Sequence, residues 1–144
     1  MRVGDIMSRH VEFIPGDATV VEAAELMGEL DVGALPVGRA EELEGIVTDR
    51  DILYRVVAKG LGGAEVLVRD VATRPVIGCG TEDTLQAAMD LMATHSIRRL
   101  AVRDGEGRVV GWITLADLAR HLLVGSEPLQ VSLRALSEAP AQAR

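Results

Sequence analysis

Two segments of the chain carry residue types that could hold an anionic, sugar-bearing ligand. They are Gly45-Ile46-Val47-Thr48-Asp49-Arg50-Asp51 and Gly111-Trp112-Ile113-Thr114-Leu115-Ala116-Asp117. In each, an apolar run of strand type ends at a threonine, and an aspartate follows three residues later. Thr48 and Thr114 fall where a helix N-cap is expected, with Asp51 and Asp117 as the carboxylates of a capping box. One reading stops at that local role. The other uses the same geometry for binding: the free amides and positive dipole end of a helix start receive a phosphate beside the threonine hydroxyl, while the aspartate accepts hydrogen bonds from ribose hydroxyls. Both roles can coexist, and the leading glycine lets a ligand approach the backbone. Arg98 and Arg99 add two guanidinium groups before Leu100-Ala101-Val102. Strand alternation turns one of them outward, and Arg99 is assigned to the ligand. Arg50 has two readings, one facing solvent and one reaching phosphate or a dimer partner.

Other chemistries find no candidate residues. His10, His95 and His121 lack metal-ligand spacing, nothing places Cys79 beside any of them, and no nucleophile motif or phosphate loop is present. The expectation is therefore no metal, no required cofactor and no enzyme. A net charge of −7 opposes a nucleic-acid partner, whose phosphates need a basic surface. Aromatic content of 2% leaves only Phe13, Tyr54 and Trp112, too scattered for a base-stacking platform. A single cysteine forms no intrachain disulfide. The N-terminus lacks a signal-peptide core and no stretch approaches a membrane span. Together these features predict a soluble, cytoplasmic protein with no membrane partner.

The elements that must position these residues occur twice. Val3-Gly4-Asp5-Ile6 returns 65 residues later as Val68-Arg69-Asp70-Val71, and the same spacing carries Thr19 to Thr84, Leu26-Met27 to Leu91-Met92 and Leu35 to Leu100. One residue is inserted in the turn from Asp104 to Arg108, where extra length costs little, and the two Gly-x-x-Thr-x-x-Asp segments then align. Each copy begins with a short apolar run (Val11 to Ile14; Val76 to Cys79). A helix opened by Thr19 or Thr84 follows, with Val20, Ala23, Ala24 and Met27, or Leu85, Ala88, Met89 and Met92, on one face. Two strand-type runs come next (Ala34 to Val37 with Leu43 to Val47; Leu100 to Arg103 with Val109 to Ile113). Second helices run from about Asp49 to Lys59 and from about Leu115 to Val124. The expected class is α/β (α+β): two β-α-β-β-α repeats packed about a pseudo-twofold axis, with two related clefts where they meet. The boundaries fall at 1–62, 63–125 and a C-terminal tail 126–144. In the tail Leu129, Leu133 and Leu136 suit a short docking helix, and Ala139 to Arg144 are expected to fray.

The duplicated order resembles a tandem pair of CBS (cystathionine-β-synthase) domains, often called a Bateman module. The resemblance is carried by the Val-x-Asp-Ile/Val opening, the threonine-initiated helix with Leu-Met near its end, the Leu35-Pro36-Val37 or Leu100-Ala101-Val102 strand, and the Gly-x-x-Thr-x-x-Asp element. It implies a regulatory sensor of an adenosine-containing ligand, with AMP, ADP or ATP foremost, that signals to an effector protein. It also implies ligand contacts from Thr48, Asp51, Thr114 and Asp117, with Arg98 and Arg99 in the place of a phosphate-holding basic pair. Gly33-Ala34 replaces that pair in the first repeat, so the clefts are expected to be unequal. Thr48 and Asp51 should share one with Arg98 and Arg99, while Thr114 and Asp117 face Gly33 and Ala34. A homodimer is expected through exposed helices, on the apolar stripe of Ile52, Leu53, Val56 and Val57. The alternative is a ligand-free CBS module used for dimerisation or protein interaction.

Overall fold

The structure, a computed structural model, describes residues 1–124 and 127–137. The first repeat holds helix α1 (Val3–Ile6), helix α2 (Val20–Leu30), strands β1 (Ala34–Gly38) and β2 (Leu43–Thr48), and helix α3 (Asp49–Ile52), which continues into a π-helical turn over Leu53–Val57. The second holds α4 (Val68–Val71), β3 (Gly78–Gly80), α5 (Leu85–His95), β4 (Arg99–Arg103), β5 (Val109–Thr114) and α6 (Leu115–Leu123). Helix α7 (Glu127–Ser137) follows. The expected C-terminal helix is present as α7, with Leu136 exposed rather than docked, whereas the expected fraying of Ala139 to Arg144 lies outside the described residues.

Strands β1 and β2 pair antiparallel with Ala34 opposite Thr48, and β4 and β5 repeat that register with Arg99 opposite Thr114. β3 adds to β4 in parallel. The expected strand at Val11 to Ile14 shrinks to one parallel bridge, Ile14 to Val37. Two prolines explain the difference. In the second repeat the Ala101 amide donates to Ile77 O at 3.2 Å, but its counterpart is Pro36, which has no N–H, and Pro15 stands where Gly80 ends β3. The strand expected at Val76 to Cys79 starts later, at Gly78.

Threonine caps set the helix starts. Thr19 Oγ1 accepts from the Glu22 amide at 3.2 Å and Thr84 Oγ1 from the Ala87 amide at 3.1 Å. Helix α2 buries Val20, Ala23 and Met27, as the spacing predicts, but leaves Ala24 exposed. Both α2 and α5 end on a non-glycine residue in the left-handed region, Asp31 and Ser96, each at φ 54°. Glycine usually takes that position.

The two openings, α1 and α4, are single helical turns that periodicity is too short to reveal, and each docks on the other repeat. Val3 N donates to Asp83 O at 2.9 Å and Gly4 N to Thr81 O at 2.9 Å. Their counterparts run in the opposite sense, Val68 N to Ala18 O at 2.8 Å and Arg69 N to Gly16 O at 3.0 Å. A second reciprocal set joins Ser8 to Trp112 and Thr73 to Ile46 as antiparallel bridges. This exchange is the pseudo-twofold relation in atomic terms. The cores follow it: Val68, Val71 and Ala72 pack with Ile14, Leu35, Val37 and Val47 of the first repeat, whereas Val3 and Met7 pack with Leu100, Ile113 and Leu118 of the second.

Val3→Ala and Val68→Ala should therefore each destabilise the repeat to which the residue does not belong in sequence. Each removes roughly two methylene equivalents at about 0.8 kcal/mol apiece, plus a cavity term. Native-state hydrogen exchange should show Val3→Ala loosening α5 and β4, and Val68→Ala loosening α2 and β1. The reverse pattern would disprove the exchanged cores.

Candidate functional site

The capping boxes form as the spacing predicts. Thr48 Oγ1 accepts from the Asp51 amide at 3.1 Å, and Asp51 Oδ2 accepts from the Thr48 amide at 3.0 Å. Thr114 and Asp117 repeat the pair at 3.1 and 2.9 Å. The amides at the start of α3 are not free, however. The Asp49 amide donates to Gly33 O at 2.9 Å, the Arg50 amide to the Asp49 carboxylate at 2.8 Å, and the Asp51 amide to Thr48. Strand register is the cause: pairing Ala34 with Thr48 delivers the Gly33 carbonyl to the first turn of the helix. Any anion recognition here must come from side chains.

A cleft of about 580 Å³ opens between the repeats. From the first repeat it draws Ile46, Thr48, Asp49 and Arg50, and from the second Ser96, Arg98, Arg99 and Trp112. Thr73 and the Pro75-Val76-Ile77 segment complete the wall, so the residues expected to extend the opening strand of the second repeat line the cavity instead. The lining has two characters. Ile46, Val76, Ile77, Ile97 and Trp112 offer apolar surface, while Arg50, Arg98 and Arg99 supply positive charge opposed by Asp49. Arg98 is exposed and Arg99 half-buried. Neither guanidinium has a hydrogen-bond or ion-pair partner among the described residues. Arg50 is exposed and lines the cleft, and its guanidinium lies 5.2 Å from the Tyr54 ring centroid.

Asp51 lies behind this wall rather than in it. It is 8% exposed, the only buried charged side chain among the described residues. Thr73 Oγ1 donates to its Oδ1 and Oδ2 at 3.1 and 3.3 Å, and Arg55 Nε lies 3.8 Å from Oδ1. Thr73 was not singled out from the sequence, and its pairing across 22 positions left no local signal to find.

The pseudo-equivalent cleft is smaller, about 220 Å³, and its lining includes His10, Glu12, Val32, Ala34 and Trp112. Ala34 stands where the first cleft has Arg99, and Glu12 where it has Ile77. His10 Nε2 and Glu12 Oε1 are 3.2 Å apart. Thr114 and Asp117 are not part of this lining. Asp117 borders a shallow hollow with Ile6, Arg120, His121 and Val124, and ion-pairs with Arg120. Another hollow, about 410 Å³, pairs Arg39 with Glu42 and Arg69 with Glu44 along its lining, beside Asp17. Among the described residues no group of three or more His, Cys, Asp or Glu side chains could hold a metal ion, and no helix is long and apolar enough to cross a membrane.

A duplicated α+β unit with exchanged openings and clefts at the junction is a paired-repeat regulatory architecture. The chain belongs to the CBS domain family, whose sequence model matches residues 3–58 and 68–124. It is 38% identical over 117 residues to the CBS domain-containing protein YhcV of Bacillus subtilis, covering 81% of this chain and 82% of that protein. Among solved structures, Hypoxic Response Protein I with two coordinated zinc ions superposes with a TM-score of 0.74 at 34% identity, over 84% of this chain and 98% of that one. The CBS domain pair of protein MJ0100, in complex with 5-methylthioadenosine and S-adenosyl-L-methionine, gives 0.75 at 26% identity, over 88% and 98%.

Cys79 belongs to the second core rather than to a cleft. Burial first, and then the charge of Asp83, push its thiol up to about 11. The neutral thiol is thus favoured in the fold, so the stability it contributes is complete below its ordinary value near 9 and is lost as pH rises toward about 11. A thiol reagent at pH 8 should label native protein far more slowly than unfolded protein, and denaturant midpoints should fall between pH 9 and 11 more in wild type than in Cys79→Ala. Equal labelling of native and unfolded protein would contradict the buried thiol.

Proposed function

We propose that this CBS pair is a regulatory sensor that binds an adenosine phosphate (AMP, ADP or ATP) in the first cleft and passes its occupancy to a partner protein. The observation that carries this reading is the convergence of Arg98 and Arg99, both without partners among the described residues, on Thr48 and Arg50 of the other repeat. Unpaired guanidinium groups in a half-enclosed cleft are suited to phosphate oxygens. The cavity lies within the roughly 300–1,000 Å³ usual for small-molecule sites, with apolar walls for a base. Thr48 Oγ1 already accepts from an amide, which leaves its hydroxyl proton for a phosphate oxygen. Asp51 reaches a ribose only through Thr48 and Thr73, or by releasing Thr73. The adenosine ligands of the MJ0100 pair support the class, since both carry the nucleoside and neither a phosphate. The cluster of arginines favours the phosphorylated form here.

The clefts are unequal in this reading. The second lacks the arginines and carries Glu12, so it binds phosphates more weakly, and Thr114 and Asp117 take a secondary role. Each molecule pairs with a second copy through the outer face of the π-helical turn after α3, where Leu53, Tyr54 and Val57 are each more than half exposed, while Val56 of the expected stripe is buried. That same face favours the second reading, a ligand-free interaction module.

Titration with AMP, ATP and S-adenosylmethionine separates the two. A ligand at 100 times its Kd adds about 2.7 kcal/mol, a melting shift on the order of 5–10 °C, and it should perturb the fluorescence of Trp112. A hydrogen bond to a charged group contributes about 1.5–3 kcal/mol, so Arg99→Ala should weaken binding roughly 10- to 150-fold. Asp117→Ala should leave tight binding nearly intact. No shift with any of these ligands at millimolar concentration would favour the interaction module. Light scattering at tens of micromolar checks the dimer, and a monomer there would count against it.

A further inference from the structure

The wall of the first cleft is continuous with the outer face of the following helix. The Ala58 amide donates to Leu53 O at 2.9 Å and the Leu61 amide to Val56 O at 3.0 Å, both five residues back. The first bond belongs to the π-turn of Leu53–Val57, while the second, with Gly60 N to Val57 O at 3.1 Å and Gly60 at φ 71°, closes the helix end just after it; the equivalent α6 is regular. A π-turn holds one residue more than an α-turn, so losing it re-registers the residues that follow. Two side-chain contacts reach this turn from the cleft. Arg50 lines the cavity and lies over Tyr54. Arg55, within the turn, donates to Val71 O at 2.8 Å and Ala72 O at 3.4 Å, and its Nε sits 3.8 Å from Asp51 Oδ1. Asp51 in turn holds the hydroxyl of Thr73, a residue of the cleft wall.

We propose that Thr73, Asp51 and Arg55 form a relay by which occupancy of the first cleft resets the π-turn and the exposed Leu53, Tyr54 and Val57 within it. The regulatory use rests on the ligand reading above; the wiring does not. A ligand oxygen that takes the Thr73 hydroxyl proton removes a donor from Asp51, a carboxylate that is 8% exposed and has little water to replace it. The nearest compensating donor is Arg55, whose loose 3.8 Å approach leaves room to tighten. Tightening draws the guanidinium off the Val71 and Ala72 carbonyls, which tie the π-turn to the end of α4. The partner surface thereby changes shape without touching the ligand. The second repeat is built differently: Asp117 pairs with Arg120 on its own helix, three residues on. The relay is a property of one cleft.

The test is a double-mutant cycle read by hydrogen exchange at the Ala58 and Leu61 amides, first in ligand-free protein. Thr73→Val removes the hydroxyl donor, as a ligand would, and should change exchange at both amides at least threefold, with α6 unaffected. Arg55→Ala should abolish that response, and Arg55→Lys should restore part of it. A Thr73→Val effect that persists undiminished in the Arg55→Ala background, or no effect at all, overturns the relay. In the second arm AMP is added, with binding measured separately by calorimetry. Wild type should respond at the same two amides and Arg55→Ala should not, and AMP bound with no change at the π-turn also overturns the proposal. If calorimetry shows no binding of AMP, ADP or ATP, the ligand reading fails, and the ligand-free cycle still decides the wiring.

Discussion

The reciprocal docking of α1 and α4 is the constraint on which the remaining geometry depends. Four amide-to-carbonyl bonds, from Val3, Gly4, Val68 and Arg69, fasten each opening to the turn before the other repeat's first long helix. Each opening also inserts a fully buried valine into the opposite core. Neither repeat could close its core alone, because Leu35 and Val47 on one side, and Leu100 and Ile113 on the other, would each lose the partner that arrives from across the axis. A unit of some sixty residues buries only about 60% of the surface its unfolded chain exposes and is marginal unaided. Mutual exchange meets that shortfall and fixes the relative orientation of the halves.

The clefts follow from that orientation. Once Ser8 bridges Trp112 and Thr73 bridges Ile46, the end of β2 must face the start of β4, and Thr48 lines one cleft with Arg98 and Arg99. The backbone imposes the symmetry, and substitution then breaks it. Arg99 is matched by Ala34, Ile77 by Glu12 and Pro75 by His10, so one cleft is wide and cationic and the other narrow with an acidic group. Trp112 lines both. The same scaffold thus offers two environments of opposite charge around one shared aromatic ring.

The repeat, the capping boxes and the pairing of Thr48 with the two arginines were legible in the sequence because they depend on local spacing and on one internal alignment. The losses came where a non-local backbone bond decides the outcome. Val11 to Ile14 looks like a strand by composition, yet Pro36 on the neighbouring strand removes the amide it would need. Val3–Ile6 and Val68–Val71 are helical for a single turn, too short for any periodicity, and are held by bonds to the other half. The motif marks Asp51 as a capping carboxylate and as a ribose acceptor, and the capping box forms. Its burial behind Thr73 could not be foreseen, because Thr73 reaches it from the segment that crosses the axis.

The same crossing changes what the Thr-x-x-Asp motif can mean. A helix start with open amides would bind an anion wherever it occurred, and both repeats would then qualify equally. Here the carbonyl of Gly33 occupies the first amide of α3 and that of Arg98 the first amide of α6, because strand pairing puts them there in both copies. The motif therefore shapes the cleft wall and holds a carboxylate in place, and the discriminating chemistry passes to side chains that differ between the repeats. In the first cleft those side chains include Arg98 and Arg99, without partners among the described residues, and the carboxylate behind them is tied by Thr73 and Arg55 to a turn on the outer surface. Asp51 thus joins the cleft wall to the outward surface: an apolar side chain there would keep the core packed but would sever Thr48, Thr73 and Arg55 from one another.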